Sequence, residues 1–250
     1  PDLKDVESIK LLLCNLGARA EAHGDTVHVD TGRILSYEAP YDLVRKMRAS
    51  ILVLGPMIAR LQKARVSLPG GCAIGARPIN LHLKGLAQLG AEIKLEHGYV
   101  QAEAKKLKGP DIYLDTVTVT GTENLMMAAV LAEGTTVLRN AAREPEVAAL
   151  AGVLNQMGAD IQGVGTAVIT INGVTSLRPV SVKIIPDRIE TGTFMIAAAL
   201  THGDVTLLDC EPDHVGACID KLRRAGVKIS VREKAIHVHG CDEIASVDVK

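Results

Sequence analysis

Hydrophobic and polar residues follow a pattern along this chain that occurs four times. In each copy, a stretch with the helical spacing of apolar residues ends at a glycine, and two short stretches with the alternation of β-strands follow. These glycines are spaced roughly 70 residues apart, as expected for a structural repeat. We predict that each one ends its helix in the left-handed conformation. The four glycines are Gly17, Gly90, Gly158 and Gly226.

A proline precedes the amphipathic helix of every copy. Proline near the first turn of a helix loses no hydrogen bond, so each proline is predicted to open its helix. The four prolines are Pro1, Pro78, Pro145 and Pro212.

A second kind of helical segment lies upstream of three of the copies. It is apolar nearly all round, which predicts helices that are buried on every side. These segments cover residues 49–60, 124–133 and 193–202.

The repeated unit is therefore a strand, a buried helix, a strand, an amphipathic helix and two short strands. One unit cannot bury its own inner helix, so several copies must pack with these helices in the middle and the sheets outside. The predicted fold class is α/β, with the units packed as an α/β barrel turned inside out. The chain begins at the second helix of one unit and ends where a strand of the next is expected, a pattern typical of a segment of a longer protein.

Charge and composition exclude several classes of partner. Lys and Arg number 28 against 29 Asp and Glu, and aromatic residues make up 2% of the chain, which argues against nucleic acid and anionic membrane surfaces. Apolar runs are shorter than the roughly 18 residues of a membrane span, and the start of the chain lacks the pattern of a signal peptide, so we expect a soluble, cytoplasmic protein.

The five cysteines have no Cys-x-x-Cys spacing; we expect no disulfide framework and mostly buried thiols.

The chemistry is expected where the repeats differ, in a glycine-rich loop over residues 68–78. Cys72 lies in this loop, and Arg77 follows at the start of a helix. A guanidinium and unpaired helix N–H groups would both stabilise a thiolate. The alternative is an ordinary loop cysteine beside a helix-capping arginine.

A basic segment, residues 45–50, precedes the first apolar helix. Arginine at a helix start opposes the helix dipole, so Arg48 either belongs to a solvated face or binds an anion together with helix N–H groups. Arg48 and Arg77 open the two helices of one repeat, an arrangement that would suit a phosphate-bearing substrate.

A metal site is a further possibility, because His237, His239 and Cys241 would lie on one face of a strand. The repeats instead align His237 with His28, Gln101 and Thr170, at an outward polar position, and we expect no metal there. Walker, G-x-S-x-G and G-x-G-x-x-G motifs are missing from the sequence.

Four segments in this order carry a resemblance to a known family: APYDLVRKMRAS (39–50), LPGGCAIGARP (68–78), NAAREPE (140–146) and PDRIETGTF (186–194). Together they resemble the UDP-N-acetylglucosamine 1-carboxyvinyltransferases, also called enolpyruvyl transferases. The sister family that acts on shikimate 3-phosphate lacks the cysteine loop. The resemblance implies transfer of the enolpyruvyl group of phosphoenolpyruvate to UDP-N-acetylglucosamine, the first committed step of peptidoglycan synthesis. It also implies a monomer without a metal or organic cofactor, with a first domain over 1–185 and part of a second over 186–250.

The resemblance assigns roles to particular residues. Cys72 matches a proton donor that can carry a covalent adduct and is the target of fosfomycin. Arg48 and Arg77 match arginines that face phosphate and nucleotide sugar. The residues matched to nucleotide-sugar binding are Pro78, Ile79, Asn80 and Leu81, together with Thr116, Val117, Thr118 and Val119 at a strand end.

Three residues depart from the pattern of some family members. Asn80 replaces Asp, Thr116 replaces Lys, and Arg139 replaces Glu. The family's Lys-Asn pair, its aspartate base and a further arginine match no position in residues 1–250, so we expect no turnover from this chain alone. The alternatives are another enolpyruvyl transferase or a non-catalytic module that binds a UDP-sugar.

Overall fold

The computed structural model describes residues 3–68 and 79–249, which fall into two compact units, 1–181 and 182–250. Each unit is described by itself. The assignment of domains to 1–185 and 186–250 stays a prediction.

The first unit contains six α-helices, ten strands and one 3₁₀ helix within its described residues. The helices are α1 (Lys4–Leu16), α2 (Tyr41–Val44), α3 (Leu54–Leu61), α4 (Asn80–Gln88), α5 (Val119–Ala129) and α6 (Pro145–Gln156), and the 3₁₀ helix is Arg48–Val53. The strands are β1 (Arg19–His23), β2 (Thr26–Asp30), β3 (Glu38–Ala39), β4 (Lys63–Ser67), β5 (Glu92–Glu96), β6 (Tyr99–Glu103), β7 (Asp111–Tyr113), β8 (Thr135–Arg139), β9 (Asp160–Gln162) and β10 (Val168–Asn172).

The second unit begins with α7 (Arg188–Leu200) and β11 (Asp204–Leu208). A 3₁₀ turn (Pro212–Val215) leads into α8 (Gly216–Arg224), and β12 (Lys228–Arg232) and β13 (Ala235–His239) follow.

The sheets confirm the predicted repeat. Two four-stranded sheets have the same arrangement, β3-β4-β6-β5 and β7-β8-β10-β9, and in each the first two strands are parallel and the rest antiparallel. The second unit repeats the last three positions as β11-β13-β12. The sequence analysis aligns four residues of the successive copies, and each of them is the third residue of its strand: His28, Gln101, Thr170 and His237.

The predicted helix ends are confirmed at all four glycines. Gly17, Gly90, Gly158 and Gly226 have φ between 99° and 106°, a conformation that glycine adopts without a Cβ clash. Pro145 opens α6 as predicted, whereas Pro212 opens a 3₁₀ turn that precedes α8. The other two prolines lie outside the described residues.

The apolar helices form the core of the first unit, but their predicted bounds are partly wrong. α5 is buried along most of its length and packs against α3 and α4. It begins five residues earlier than predicted, because Thr118 caps its N-terminus by accepting a hydrogen bond from the Gly121 N–H. The predicted helix 49–60 begins as a 3₁₀ helix and becomes α-helical only at Leu54. Pro56 has no backbone N–H to donate, and it is tolerated because it lies in the first turn of α3.

The predicted apolar helix over 193–202 corresponds to α7, and it differs from the prediction in its start and in its burial. It begins at Arg188, where Asp187 accepts hydrogen bonds from the backbone N–H groups of Ile189 and Glu190. One face, including Met195, Ala198 and Ala199, is buried against the second core, whereas Phe194 remains 53% exposed. The expectation of burial on every side is therefore wrong for this helix within its unit.

Three further expectations can be compared with the described residues. Of the four described cysteines only Cys210 is buried, and Cys14 is exposed, so the expectation of mostly buried thiols is wrong. Residues 240–249 contain no strand, although one was expected at the end of the chain. Among the described residues, no helix has the length and apolar character that crossing a membrane requires.

Candidate active site

Arg48 begins the 3₁₀ helix that leads into α3. Its guanidinium lies close enough to His82 to help lower the pKa of that histidine. The preceding Arg45 pairs instead with Asp42 at 3.7 Å and lies over the Tyr41 ring. The charge of Arg48 thus acts on His82 in the first turn of α4, whereas Arg45 belongs to a local surface cluster.

The candidate nucleotide-binding residues 79–81 form the start of α4. Ile79 precedes the helix and is buried, Asn80 is exposed, and Leu81 is half-buried. Because Asn80 is exposed, its side-chain amide is accessible to a ligand. A helix N-terminus also favours anionic groups, because its first N–H groups have no acceptor within the helix.

The candidate residues 116–119 lead into α5, and the strand end expected for them is wrong. β7 ends at Tyr113; Thr118 is the N-cap residue of α5 and Val119 its first helical residue. Thr116 and Val117 are exposed. This segment therefore presents a second helix N-terminus, the feature that makes it suitable for an anion.

Two contacts hold the starts of α4 and α5 together. Lys84 Nζ pairs with Asp115 Oδ2 at 2.6 Å, and a ring nitrogen of His82 lies 3.3 Å from Thr120 Oγ1. The starts of α4 and α5 and the 3₁₀ helix of Arg48 thus meet in one region of the first unit. Cys72, Arg77 and Pro78, which the sequence also assigns to the site, lie outside the described residues.

Sequence reasoning missed two buried polar residues behind this region. His82 is 1% exposed, and burial, followed by the charge of Arg48, lowers its pKa to about 4. Asn124 is fully buried on α5 and hydrogen-bonds His82. A signal for Asn124 was present: an amide within an otherwise apolar helix needs internal partners.

An apolar cavity of about 660 Å³ lies between α1, α3, α5 and the 3₁₀ helix. Glu123 lines it from α5, and its pKa is raised to about 7, first by burial and then by Glu146 and Glu144. Such apolar walls do not suit a diphosphate, so we place this cavity outside the candidate active site.

The histidines of the possible metal site and Arg139 all make side-chain hydrogen bonds to aspartates. His237 and His239 both hydrogen-bond Asp204, at 2.5 and 3.0 Å, and this contact lowers the pKa of the carboxyl group. Across residues 3–68 and 79–249, no group of three His, Cys, Asp or Glu is arranged to hold a metal ion. Arg139, one of the departures from the family pattern, makes a bidentate pair with Asp111 on the neighbouring strand.

Comparison with known proteins gives a consistent result. The family model described as EPSP synthase (3-phosphoshikimate 1-carboxyvinyltransferase) matches residues 1–250. The UDP-N-acetylglucosamine 1-carboxyvinyltransferases of Desulfosudis oleivorans and Desulfatibacillum aliphaticivorans are 64% and 61% identical to the chain over 250 residues. The chain spans 60% of the length of each of these relatives.

Solved structures agree on the fold. The enolpyruvyl transferase NikO from Streptomyces tendae superposes with a TM-score of 0.84 at 25% identity, over 97% of this chain and 59% of NikO. EPSP synthase from Acinetobacter baumannii, at 18% identity, has a TM-score of 0.69 over 96% of this chain and 57% of its own length. The predicted fold class and the family resemblance are therefore confirmed. The chain belongs to the EPSP synthase (3-phosphoshikimate 1-carboxyvinyltransferase) family.

Proposed function

We propose that this chain carries substrate-binding sites of an enzyme that transfers the enolpyruvyl group of phosphoenolpyruvate to the 3'-hydroxyl of UDP-N-acetylglucosamine and releases phosphate. The observation that carries this proposal is the 60–64% identity over 250 residues to three relatives named UDP-N-acetylglucosamine 1-carboxyvinyltransferase. The product would enter peptidoglycan synthesis, and such an enzyme would act in the cytoplasm on small molecules. It would need no metal or organic cofactor and would be a monomer.

The candidate residues divide between the two substrates. Both substrates carry phosphate, and Arg48 and Arg77 would neutralise it with charged hydrogen bonds. The segments 78–81 and 116–119 would bind the nucleotide. The juxtaposition of two helix starts near Arg48 supports this division, because backbone N–H groups and a guanidinium both favour an anion.

Cys72 would act on phosphoenolpyruvate. Its thiol gives a proton to the methylene carbon, which leaves positive charge on the neighbouring carbon that bears the phosphate oxygen. The 3'-hydroxyl oxygen bonds to this carbon and gives its proton to a base. Departure of phosphate, with return of a proton from the new methyl group to the Cys72 thiolate, then restores the double bond and the thiol. Alternatively, the Cys72 thiolate bonds to the same carbon and holds a covalent adduct.

Fosfomycin provides a direct test of the Cys72 site. Its epoxide would be opened by the thiolate, forming a carbon–sulfur bond while the ring oxygen takes up a proton. We would treat the chain with fosfomycin, with and without UDP-N-acetylglucosamine, and map all five cysteines by mass spectrometry. We expect an adduct on Cys72 that the nucleotide sugar promotes.

Two serine variants complete the experiment. Cys72→Ser should abolish the adduct, whereas Cys14→Ser, which removes an exposed thiol of the same unit, should leave it unchanged. Equal labelling of all cysteines, or none, would contradict an activated Cys72. Binding of UDP-N-acetylglucosamine without any adduct would favour the alternative of a non-catalytic UDP-sugar-binding module.

A further inference from the structure

Asn124 connects three chain segments within the core of the first unit. Its Oδ1 accepts a hydrogen bond from the Gly55 N–H at 2.7 Å. Its Nδ2 donates to the Ile51 carbonyl at 3.1 Å and lies 3.0 Å from His82 Nδ1. The opposite amide orientation would set an NH₂ group against the Gly55 N–H, so these partners fix the orientation of the side chain.

This orientation also fixes the state of His82. Because Asn124 Nδ2 is a donor, His82 Nδ1 must accept and carries no proton. The remaining ring proton is on Nε2, which faces Thr120 Oγ1 at 3.3 Å. Burial and the nearby charge of Arg48 keep the ring neutral.

The network joins the three segments of the candidate active site. Ile51 lies in the 3₁₀ helix that Arg48 begins, and His82 follows Asn80 and Leu81 in the first turn of α4. Thr120 lies in the first turn of α5, directly after the segment 116–119. Among the described residues, each element that presents a candidate ligand contact therefore contributes a hydrogen bond to Asn124 or to His82.

We propose that Asn124, acting through His82, is a positioning residue that sets Arg48 and the starts of α4 and α5 in the geometry that binds the nucleotide sugar. The inference rests on the proposed function. It assigns a role in substrate affinity to a residue that is fully buried and behind the site. Small displacements of binding groups cause large losses of affinity, so the network should affect binding beyond its effect on folding.

A matched pair of substitutions tests this role. Asn124→Asp keeps the acceptor for Gly55 but replaces the donor toward Ile51 and His82. Asn155→Asp makes the same change at α6, where Asn155 bonds both backbone groups of Ile161 away from the candidate site. We would measure the Kd of UDP-N-acetylglucosamine by calorimetry for folded protein, and the His82 tautomer by ¹⁵N NMR, with His82→Gln to assign the signal.

In the unmodified chain we expect the His82 proton on Nε2. In Asn124→Asp we expect a proton on Nδ1 and a Kd about tenfold higher. For Asn155→Asp we expect a Kd within about twofold of the unmodified value. If Asn124→Asp does not fold, Thr120→Val removes the partner of Nε2 with little change in shape, and it should also raise the Kd.

Other outcomes would overturn the inference. A proton on Nδ1 in the unmodified chain would contradict the network. Unmodified affinity in folded Asn124→Asp, or in Thr120→Val if that variant is needed, would show that the network does not position the site, while the proposed function would stand. If the unmodified chain does not bind the nucleotide sugar, the proposed function and this inference both fail.

Discussion

Glu123 is a residue whose charge the folded protein disfavours. It is half-buried beside the apolar cavity, and Glu144 and Glu146 repel its carboxylate, so its pKa rises from the ordinary 4.5 to about 7. Between these pH values the folded state binds more protons than the unfolded state. The free energy of unfolding therefore falls as the pH rises from about 4.5 through 7 and stays reduced above that.

Glu123→Gln should remove this dependence. At pH 8 we expect the variant to be more stable than the unmodified chain by about 1–3 kcal/mol, because the buried charge is gone. At pH 4.5 the two should be nearly equal. Urea unfolding at both pH values would measure the difference. Glu92→Gln, at an exposed strand position, should change little at either pH, and an equal effect of both variants would contradict the assignment to Glu123.

The packing of α3 and α4 against α5 depends on two glycines. A Cβ at Gly55 would lie 2.3 Å from the carbonyl oxygen of Asn124 and 2.4 Å from its Oδ1. A Cβ at Gly85 would lie 2.4 Å from Leu125 Cδ1. Glycine therefore permits the close helix contacts on which the Asn124 network depends.

Gly55→Ala should destabilise the first unit by about 1–3 kcal/mol, because the clash is with backbone and cannot be relieved by a side-chain rotation. Gly152→Ala is the matched control in α6, where a Cβ would meet nothing within 4 Å. This control should gain about 0.5–1 kcal/mol from the higher helix propensity of alanine. Denaturant unfolding measures both, and a stabilising Gly55→Ala would disprove the close contact.

At the scale of the whole molecule, the two units have separate hydrophobic cores with no residue in common among the described residues. The repeat places equivalent residues in both: Ile169 is the second residue of β10, and Ile236 is the second residue of β13. Both are fully buried. They allow the same substitution to be compared in each unit.

Ile236→Ala should lower the stability of the second unit by about 2–5 kcal/mol through the lost contacts and the cavity that remains. Hydrogen exchange would localise the effect. We expect faster exchange at protected amides of residues 182–249 and unchanged exchange in the first unit, with the converse for Ile169→Ala. Faster exchange throughout the chain in both variants would contradict separate cores.

Much of the architecture was predictable because it depends on local chemistry. The left-handed glycines and the alternating strands place four similar segments along the chain, and the residues aligned between the copies occupy the same position in their strands. The starts of α5 and α7 were placed too late, although Thr118 and Asp187 are recognisable capping residues. The 3₁₀ helix before α3 was missed, although Pro56 marks the first turn of the α-helix that follows it.

The sequence by itself determined the repeated unit, the approximate places of its inner helices and the family, whereas the residues that the family implies for the site stay predictions. These follow from spacing and residue type along the chain. Only the tertiary structure decided which buried polar groups meet. Asn124 is separated from Gly55, Ile51 and His82 by 69, 73 and 42 residues. Their hydrogen bonds exist because the elements that carry them pack closely together in the folded first unit.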